Sequence, residues 1–184
     1  MTTTAMMVII AAVIVVAIAA WFIFRQQRSK QLHSRFGPEY EHAVREFGSS
    51  SKAEDALVAR QKRLERLHIH SLAPEERERF AEQWHELQSR FVDDPSGSIE
   101  AADGLICEVM SARGYPMREF ERRAEDLSVD HAQVVSDYRA AHAIALRRDR
   151  GEASTEDLRK AMVYYRDLFD ELLEAHVTQR GNKR

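Results

Sequence analysis

Residues 154–176 have the sequence STEDLRKAMVYYRDLFDELLEAH. Ser154 and Asp157 at its start form a capping box, which favours the beginning of a helix. The residues on the inward face then recur at alternating spacings of four and three, close to three heptads; they are Leu158, Met162, Tyr165, Phe169, Leu172 and His176. This stripe predicts a helix packed within the chain's own bundle, and a coiled-coil seam with a second chain is the alternative.

Residues that typically start or end helices also occur upstream of this stretch. The chain contains only seven glycines and four prolines, and no segment alternates with a period of two, so we predict an all-α domain of about seven helices. The expected start signals are Pro38, Ser51 with Glu54, Pro74, Pro95 and Asp130 with Gln133; Gly37, Gly48 and Gly114 are expected to end helices. The domain is expected to cover residues 38–176, followed by a polar tail at 177–184.

The predicted helices each have one apolar face. Phe80, Trp84, Leu87 and Phe91 form the clearest stripe, with spacings of four, three and four. We expect a filled bundle core that also includes Ile99, Ala102, Ile106, Val109, Met110, Ala124, Leu127, Val134, Tyr138, Ala141 and Ala145.

The sequence upstream of the domain has a different character. Residues 5–24, AMMVIIAAVIVVAIAAWFIF, contain no charge, glycine or proline in twenty positions. A helix of that length covers about 30 Å, the thickness of a bilayer's hydrocarbon core. We therefore expect residues 1–24 to be a single transmembrane anchor in contact with membrane lipid. A secretory signal cleaved after the small-x-small sequence at Ala17–Ala19 is the alternative.

A basic segment, residues 25–37, follows the apolar run. Its cations, Arg25, Arg28, Lys30 and Arg35, precede the first acid at Glu39. The positive-inside rule places such a flank in the cytoplasm, so we expect a single-pass protein of the cell inner membrane with a cytoplasmic C-terminal domain. The four cations are also candidates for contact with anionic lipid.

Eight histidines suggest a search for metal ligands. Glu82 and His85 share a helix face, as in carboxylate-bridged di-iron bundles, but the fragment has no second copy. His68 and His70 have the spacing of a ligand pair and lack a third ligand nearby. We therefore assign no metal site and no cofactor, and interpret these residues as solvated; His142 is expected to be partly buried and hydrogen-bonded, and His131 to lie in the first turn of its helix.

Other chemistry is equally weak in the sequence. The single cysteine, Cys107, falls on an apolar helix face and is interpreted as a core residue. The tyrosines at 138, 164 and 165 are expected to pack with their hydroxyls at the rim of the last two helices. No phosphate-binding loop or nucleophile elbow occurs, and the balance of 30 acids against 27 Lys and Arg argues against a nucleic-acid partner. No catalytic residue is assigned.

Six short strings carry a resemblance to known proteins: Arg35–Tyr40, Arg90–Pro95, Arg113–Pro116, Asp126–His131, Tyr138–His142 and Ser154–Arg159. On these strings the chain resembles, across about residues 34–173, a family of small bacterial membrane-anchored helical proteins to which no activity is assigned. The resemblance implies an anchor and a helical domain, and it carries over no site residue.

Three functions remain open from the sequence. The favoured one is a non-catalytic, membrane-tethered interaction module that binds a protein partner or itself through its helices. The second is a membrane-bound or exported enzyme or metal protein whose site is assembled from separate helices, with residues such as His85, Tyr138 or His142. The third is a lipid-surface or envelope-stress protein that uses the basic segment.

Overall fold

The computed structural model describes residues 2–174, with side chains at positions 6, 7, 10 and 12–174. All regular structure in this range is helical, which confirms the predicted all-α class. The helices are α1 Thr2–Phe36, α2 Pro38–Phe47, α3 Ser50–Leu64, α4 Pro74–Arg90, α5 Pro95–Ala112, α6 Phe120–Leu127, α7 Ala132–Asp149 and α8 Thr155–Glu174. His176 and the expected tail at 177–184 lie outside the described residues.

α1 runs without interruption through the apolar run and the basic segment. Among the residues that the structure describes, no helix has the combination of length and hydropathy that a membrane crossing requires. The transmembrane helix expected at residues 5–24 is thus not supported by the described part of the chain.

The core is built around α8, which packs against α5 and α7. Every described position of the heptad stripe, from Leu158 to Leu172, is buried. Trp84 of α4 stacks on Phe169 with ring centroids 4.6 Å apart. The stripe is therefore covered by the chain's own helices, as the intramolecular interpretation predicts.

Most of the predicted helix boundaries are present. Pro38 opens α2, and Gly48 closes it at φ 72° with its N–H donating to the Val44 carbonyl. The Ser154–Asp157 capping box is formed, with the Asp157 N–H donating to Ser154 Oγ at 3.2 Å and the Ser154 N–H to Asp157 Oδ2 at 3.0 Å.

Two predicted caps are wrong. Ser49, not Ser51, caps α3, because its hydroxyl is the one that accepts the Lys52 N–H, and Glu54 is buried instead of closing a capping box. α7 begins after His131 with no side-chain cap, so Asp130 and Gln133 do not form the expected start signal.

The buried face of α7 also differs from the prediction. Val135 and Ile144 are buried beside Tyr138 and Ala141, whereas Val134 and Ala145 are only half-buried. The helix is therefore rotated slightly about its axis relative to the predicted face.

The connector between α3 and α4 lies against the end of α5. The His70 N–H donates to the Arg113 carbonyl at 3.0 Å, and Leu72 is buried. Gly114 has φ 90°, and a Cβ there would stand 2.5 Å from the His68 carbonyl oxygen. Only glycine allows this close approach of two backbone segments.

Candidate functional site

The first candidate site is the point in α1 where two halves of the helix meet. The exposed half ends at Phe24, and the docked half, residues 25–36, packs against the domain. Between Met6 and Phe24 the large apolar side chains of described positions are 51–70% exposed. Val13, Ile14, Val15 and Val16 are consecutive and all more than half exposed, so they cover the whole circumference of the helix. Leu32 and Phe36, further along the same helix, are buried in the core at 6% and 0% exposure.

Contacts between α1, α2 and α3 fix the docked half. The chain reverses at Gly37, which has φ 46°, and Tyr40 then lies against His33 with ring centroids 5.0 Å apart. The Tyr40 hydroxyl is 3.5 Å from Ser29 Oγ and donates to Glu54 of α3 at 3.1 Å. α1 is thereby attached to the domain over at least two helical turns.

The basic segment predicted as a lipid-binding cluster is divided by the fold. Arg28 forms an ion pair with Asp55 of α3 at 3.1 Å, and Arg35 lies 3.9 Å from Asp130. Arg25 remains exposed and stacks over Trp21, and Lys30 is also exposed. Two of the four cations therefore fasten α1 to the domain, and two face outward.

A buried ion-pair network joins α2, α3, α6 and α7. Arg60 of α3 donates to Glu39 of α2 at 2.8 Å, and the two side chains are 3% and 2% exposed. Arg139 of α7 contacts Glu39 at 3.1 Å and also pairs with Glu121. Glu125 of α6 accepts from Arg60 at 3.3 Å. Four helices thus meet at a group of paired charges whose centre, Arg60 and Glu39, is buried.

Electrostatics in this network favour the ionised form of the Glu125 carboxylate. Partial burial raises the pKa of Glu125, but the charge of Arg60 and hydrogen bonds from Arg122 and Arg63 outweigh it, so the pKa lies below its ordinary value. Arg63 also pairs with Asp126, which is 1% exposed, at 2.7 Å. The network therefore holds α2, α3, α6 and α7 together, and we call it the clasp. Its members are Glu39, Arg60, Arg63, Glu121, Glu125, Asp126 and Arg139.

A second candidate site is a polar cluster between α5, α6, α7 and α8. Arg123 of α6 donates to Cys107 Sγ at 2.8 Å. The hydroxyl of the fully buried Tyr165 donates to Asp103 at 3.2 Å, and Tyr138 is also fully buried, with its ring 6.2 Å from that of Tyr165. The prediction that these hydroxyls lie at the rim is therefore wrong for Tyr138 and Tyr165.

The groups of this cluster are poorly suited to nucleophilic or acid–base chemistry near neutral pH. Partial burial raises the pKa of the Cys107 thiol, Asp103 adds to the effect, and Arg123 opposes it without reversing it. Burial, reinforced by Asp103, also raises the pKa of Tyr138 and of Tyr165. Because a thiol rather than a thiolate is present, Cys107 is a weak nucleophile. It is half-buried, so it is only in part the core residue predicted.

The two histidines nearest the core have different partners. His142 is half-buried, as predicted, and stacks on Phe120 with ring centroids 3.6 Å apart. Its buried Nδ1 lacks the expected hydrogen-bond partner among the described residues. His131 is 5% exposed and its Nδ1 lies 3.0 Å from Glu171. Burial and the nearby Arg113 lower the pKa of His131, and Glu171 only partly offsets them.

The other predicted candidates lie on the surface. Glu82 and His85 occupy the exposed face of α4, and His68 and His70 are exposed in the connector. Within the described residues, no three His, Cys, Asp or Glu side chains are placed to share a metal ion.

Comparison with known proteins adds no relative. No protein-family model, curated protein or solved structure matches this chain. The resemblance to small membrane-anchored helical proteins stays a prediction.

Sequence reasoning missed the clasp. The available signal was Arg60, which stands between Leu57 and Leu64 on the apolar face of α3 at spacings of three and four. A charged residue at such a position has to find a buried partner. The sequence does not say which acid supplies it, because Glu39 lies on a different helix.

Proposed function

We propose that this chain is a single-pass, membrane-tethered helical module without catalytic activity, whose C-terminal domain lies on the cytoplasmic side of the inner membrane. The observation that carries the proposal is the division of α1. One half exposes apolar side chains around its whole circumference, and the other half places Leu32 and Phe36 in the domain core.

The exposed apolar half of α1 favours a membrane anchor. A helix that is apolar on all sides is stable only where something apolar surrounds it, in a large core or in lipid. The proposal rests on the sequence of residues 5–24; four of these positions, 5, 8, 9 and 11, have side chains outside the described part of the chain.

The orientation follows from the cations that end the apolar run. Arg25 stacks over Trp21, an arrangement suited to the headgroup layer, where aromatic rings and Arg side chains both concentrate. An excess of Lys and Arg on this flank favours the cytoplasmic side.

The chemistry of the domain favours binding over catalysis. The candidate nucleophile Cys107 is held as a neutral thiol by burial and by Asp103, and the buried tyrosines stay protonated. A tethered domain concentrates its charged helical surface at the membrane without any further contact, which suits binding to a protein partner or to a second copy.

Fractionation of cells that express the full chain tests the anchor. We expect the protein to stay in the membrane pellet after a sodium carbonate wash, and the domain to be cut by protease only in inside-out vesicles. The double substitution Val13→Lys with Val16→Lys should release it, whereas Val92→Lys, at a domain position that is 82% exposed, should not. Soluble protein beginning near Ala20 would show a cleaved signal instead and overturn the proposal.

Crosslinking in intact membranes tests the module. We expect a crosslinked partner or dimer that depends on the domain surface. Recovery of neither species, at a crosslinker concentration that captures a known membrane dimer, would contradict an interaction role.

A further inference from the structure

The α2–α3 hairpin runs back along α1 toward the apolar half. α2 starts beside the end of α1, and its Tyr40 reaches both His33 and Ser29, which lie earlier in α1. α3 then returns in the opposite sense, and Asp55 meets Arg28. The turn between α2 and α3 therefore lies on the side of these contacts that faces the N-terminal part of α1.

Helix geometry sets how far the turn reaches. From Tyr40 to the end of α2 at Phe47 there are seven residues, a rise of about 10 Å. Counted back along α1 from the contacts at positions 29 and 33, the same rise ends between positions 22 and 26. That is the level at which the apolar run ends and the basic segment begins.

Exposed cations at this level come from both α1 and the hairpin. Arg45 and Lys52 flank the turn and are exposed, and Arg25 and Lys30 are exposed on α1. Of the acids nearby, Asp55 is paired with Arg28, and Glu46 lies 3.4 Å from Arg60. Residues 48–51 between them are glycine and serine, all exposed.

We propose that the α2–α3 turn, with Arg45 and Lys52, forms a second membrane contact that rests on anionic phospholipid headgroups beside the anchor. The proposal rests on the proposed membrane tether. It differs from the basic segment expected from the sequence, because two of that segment's cations are paired with acids of the domain and the two cations of the turn come from other helices. The occupant is lipid, since the turn is level with the end of the apolar run and carries cations opposite an anionic surface.

Fluorescence quenching in vesicles tests this contact. The full chain carries a fluorophore attached at position 50 through Ser50→Cys in a Cys107→Ala background. It is reconstituted into phosphatidylcholine vesicles with or without phosphatidylglycerol, and headgroup-spin-labelled lipid is the quencher. The reference position is Gln133, which is exposed and lies beside Gly37, at the opposite end of α2. We expect strong quenching at position 50, greater with phosphatidylglycerol and reduced by salt, and weak quenching at position 133.

Charge variants separate lipid contact from simple proximity. Arg45→Glu with Lys52→Glu should abolish the extra quenching that phosphatidylglycerol produces at position 50. Arg90→Glu with Arg118→Glu changes two exposed cations elsewhere by the same charge and should leave it intact. Equal quenching at positions 50 and 133, or no response to the turn variant, would overturn the proposal. If the fluorophore at position 50 is shielded from solvent in native membranes but not in pure lipid vesicles, a protein partner covers the turn. That result would also overturn the proposal.

A carbonate wash of the same vesicles separates this inference from the tether itself. If the chain is extracted, the proposed tether fails. If the chain resists extraction and position 50 is not quenched, the tether stands and only the second contact is wrong.

Discussion

Arg60 and Glu39 show how single residues hold this bundle together. Both are charged and almost completely buried, and each is in contact with further charges, Arg139 on one side and Glu125 on the other. Removal of one member of such a group leaves its partner as an uncompensated buried charge, which costs more than the intact pair contributes.

Arg60→Ala should therefore lower the free energy of unfolding by about 3–5 kcal/mol. Urea denaturation of the full chain in detergent micelles, followed by circular dichroism, measures it. Arg166→Ala removes an exposed arginine whose ion pair, among the described residues, is with its neighbour Asp167, and it should have no measurable effect. Similar losses in both variants would mean that the clasp contributes nothing beyond a surface ion pair.

The sequence indicates that Arg60 is buried but does not predict its partners. The position of Arg60 on the apolar face of α3 follows from helical spacing. Its partners are set by how α2, α6 and α7 pack, and spacing within one helix carries no information about that. The same limit explains Tyr165, whose hydroxyl finds Asp103 on another helix instead of reaching the surface.

His131 gives the domain a pH dependence. Because burial and Arg113 lower its pKa in the folded state, while Glu171 and Asp130 act in the opposite direction, the unfolded chain binds more protons as the pH falls below about 6.5. Burial lowers the pKa of His142 as well, with the same sign. Stability is therefore fully present above that pH and is lost as the pH falls toward the folded-state values.

We expect the free energy of unfolding to fall between about pH 7 and about pH 5, and His131→Gln to flatten that fall. Denaturation series at several pH values measure the slope. His85→Gln, on the exposed face of α4, is the matched control and should leave the slope as it is. An unchanged slope in His131→Gln would rule out this histidine as the source.

At the scale of elements, most boundaries could be predicted because they depend on local backbone chemistry. Pro38, Gly48, Gly114 and the Ser154–Asp157 capping box act within a few residues of themselves. The predicted start of α3 is wrong by two residues, because serine occupies three consecutive positions, 49–51, and any of them can cap a helix. Packing decides among them. The Glu54 carboxylate accepts a hydrogen bond from the Tyr40 hydroxyl, so it is not available for a capping box with Ser51.

Substitution of these serines tests the assignment. Ser49→Ala removes the acceptor of the Lys52 N–H and should lower the free energy of unfolding by about 1 kcal/mol. Ser51→Ala, within the first turn, should change it by only a few tenths of a kcal/mol. Thermal or urea denaturation of the two variants side by side gives the comparison, and a larger loss at position 51 would place the cap there.

At the scale of the whole molecule, α1 combines an exposed apolar half with a half that packs against the domain. Its continuous helix means that the exposed apolar half and the buried residues Leu32 and Phe36 are joined with no intervening linker. The folded core therefore extends upstream of Pro38, the predicted start of the domain, to at least Leu32. Composition alone could not place this limit, because Leu32 and Phe36 stand among basic and polar residues.

Two truncated chains measure where the folding unit begins. A chain starting at Arg25 keeps Leu32 and Phe36 and should be fully helical and cooperative in unfolding. A chain starting at Gly37 loses both, and burial of two large apolar side chains in a packed core is worth on the order of 5 kcal/mol. That is comparable with the whole stability of a typical domain, so the shorter chain should be largely unfolded by circular dichroism. Equal stability of the two chains would show that the docked half of α1 is an attachment to the domain; aggregation of the longer one would show that the domain needs the apolar half to fold.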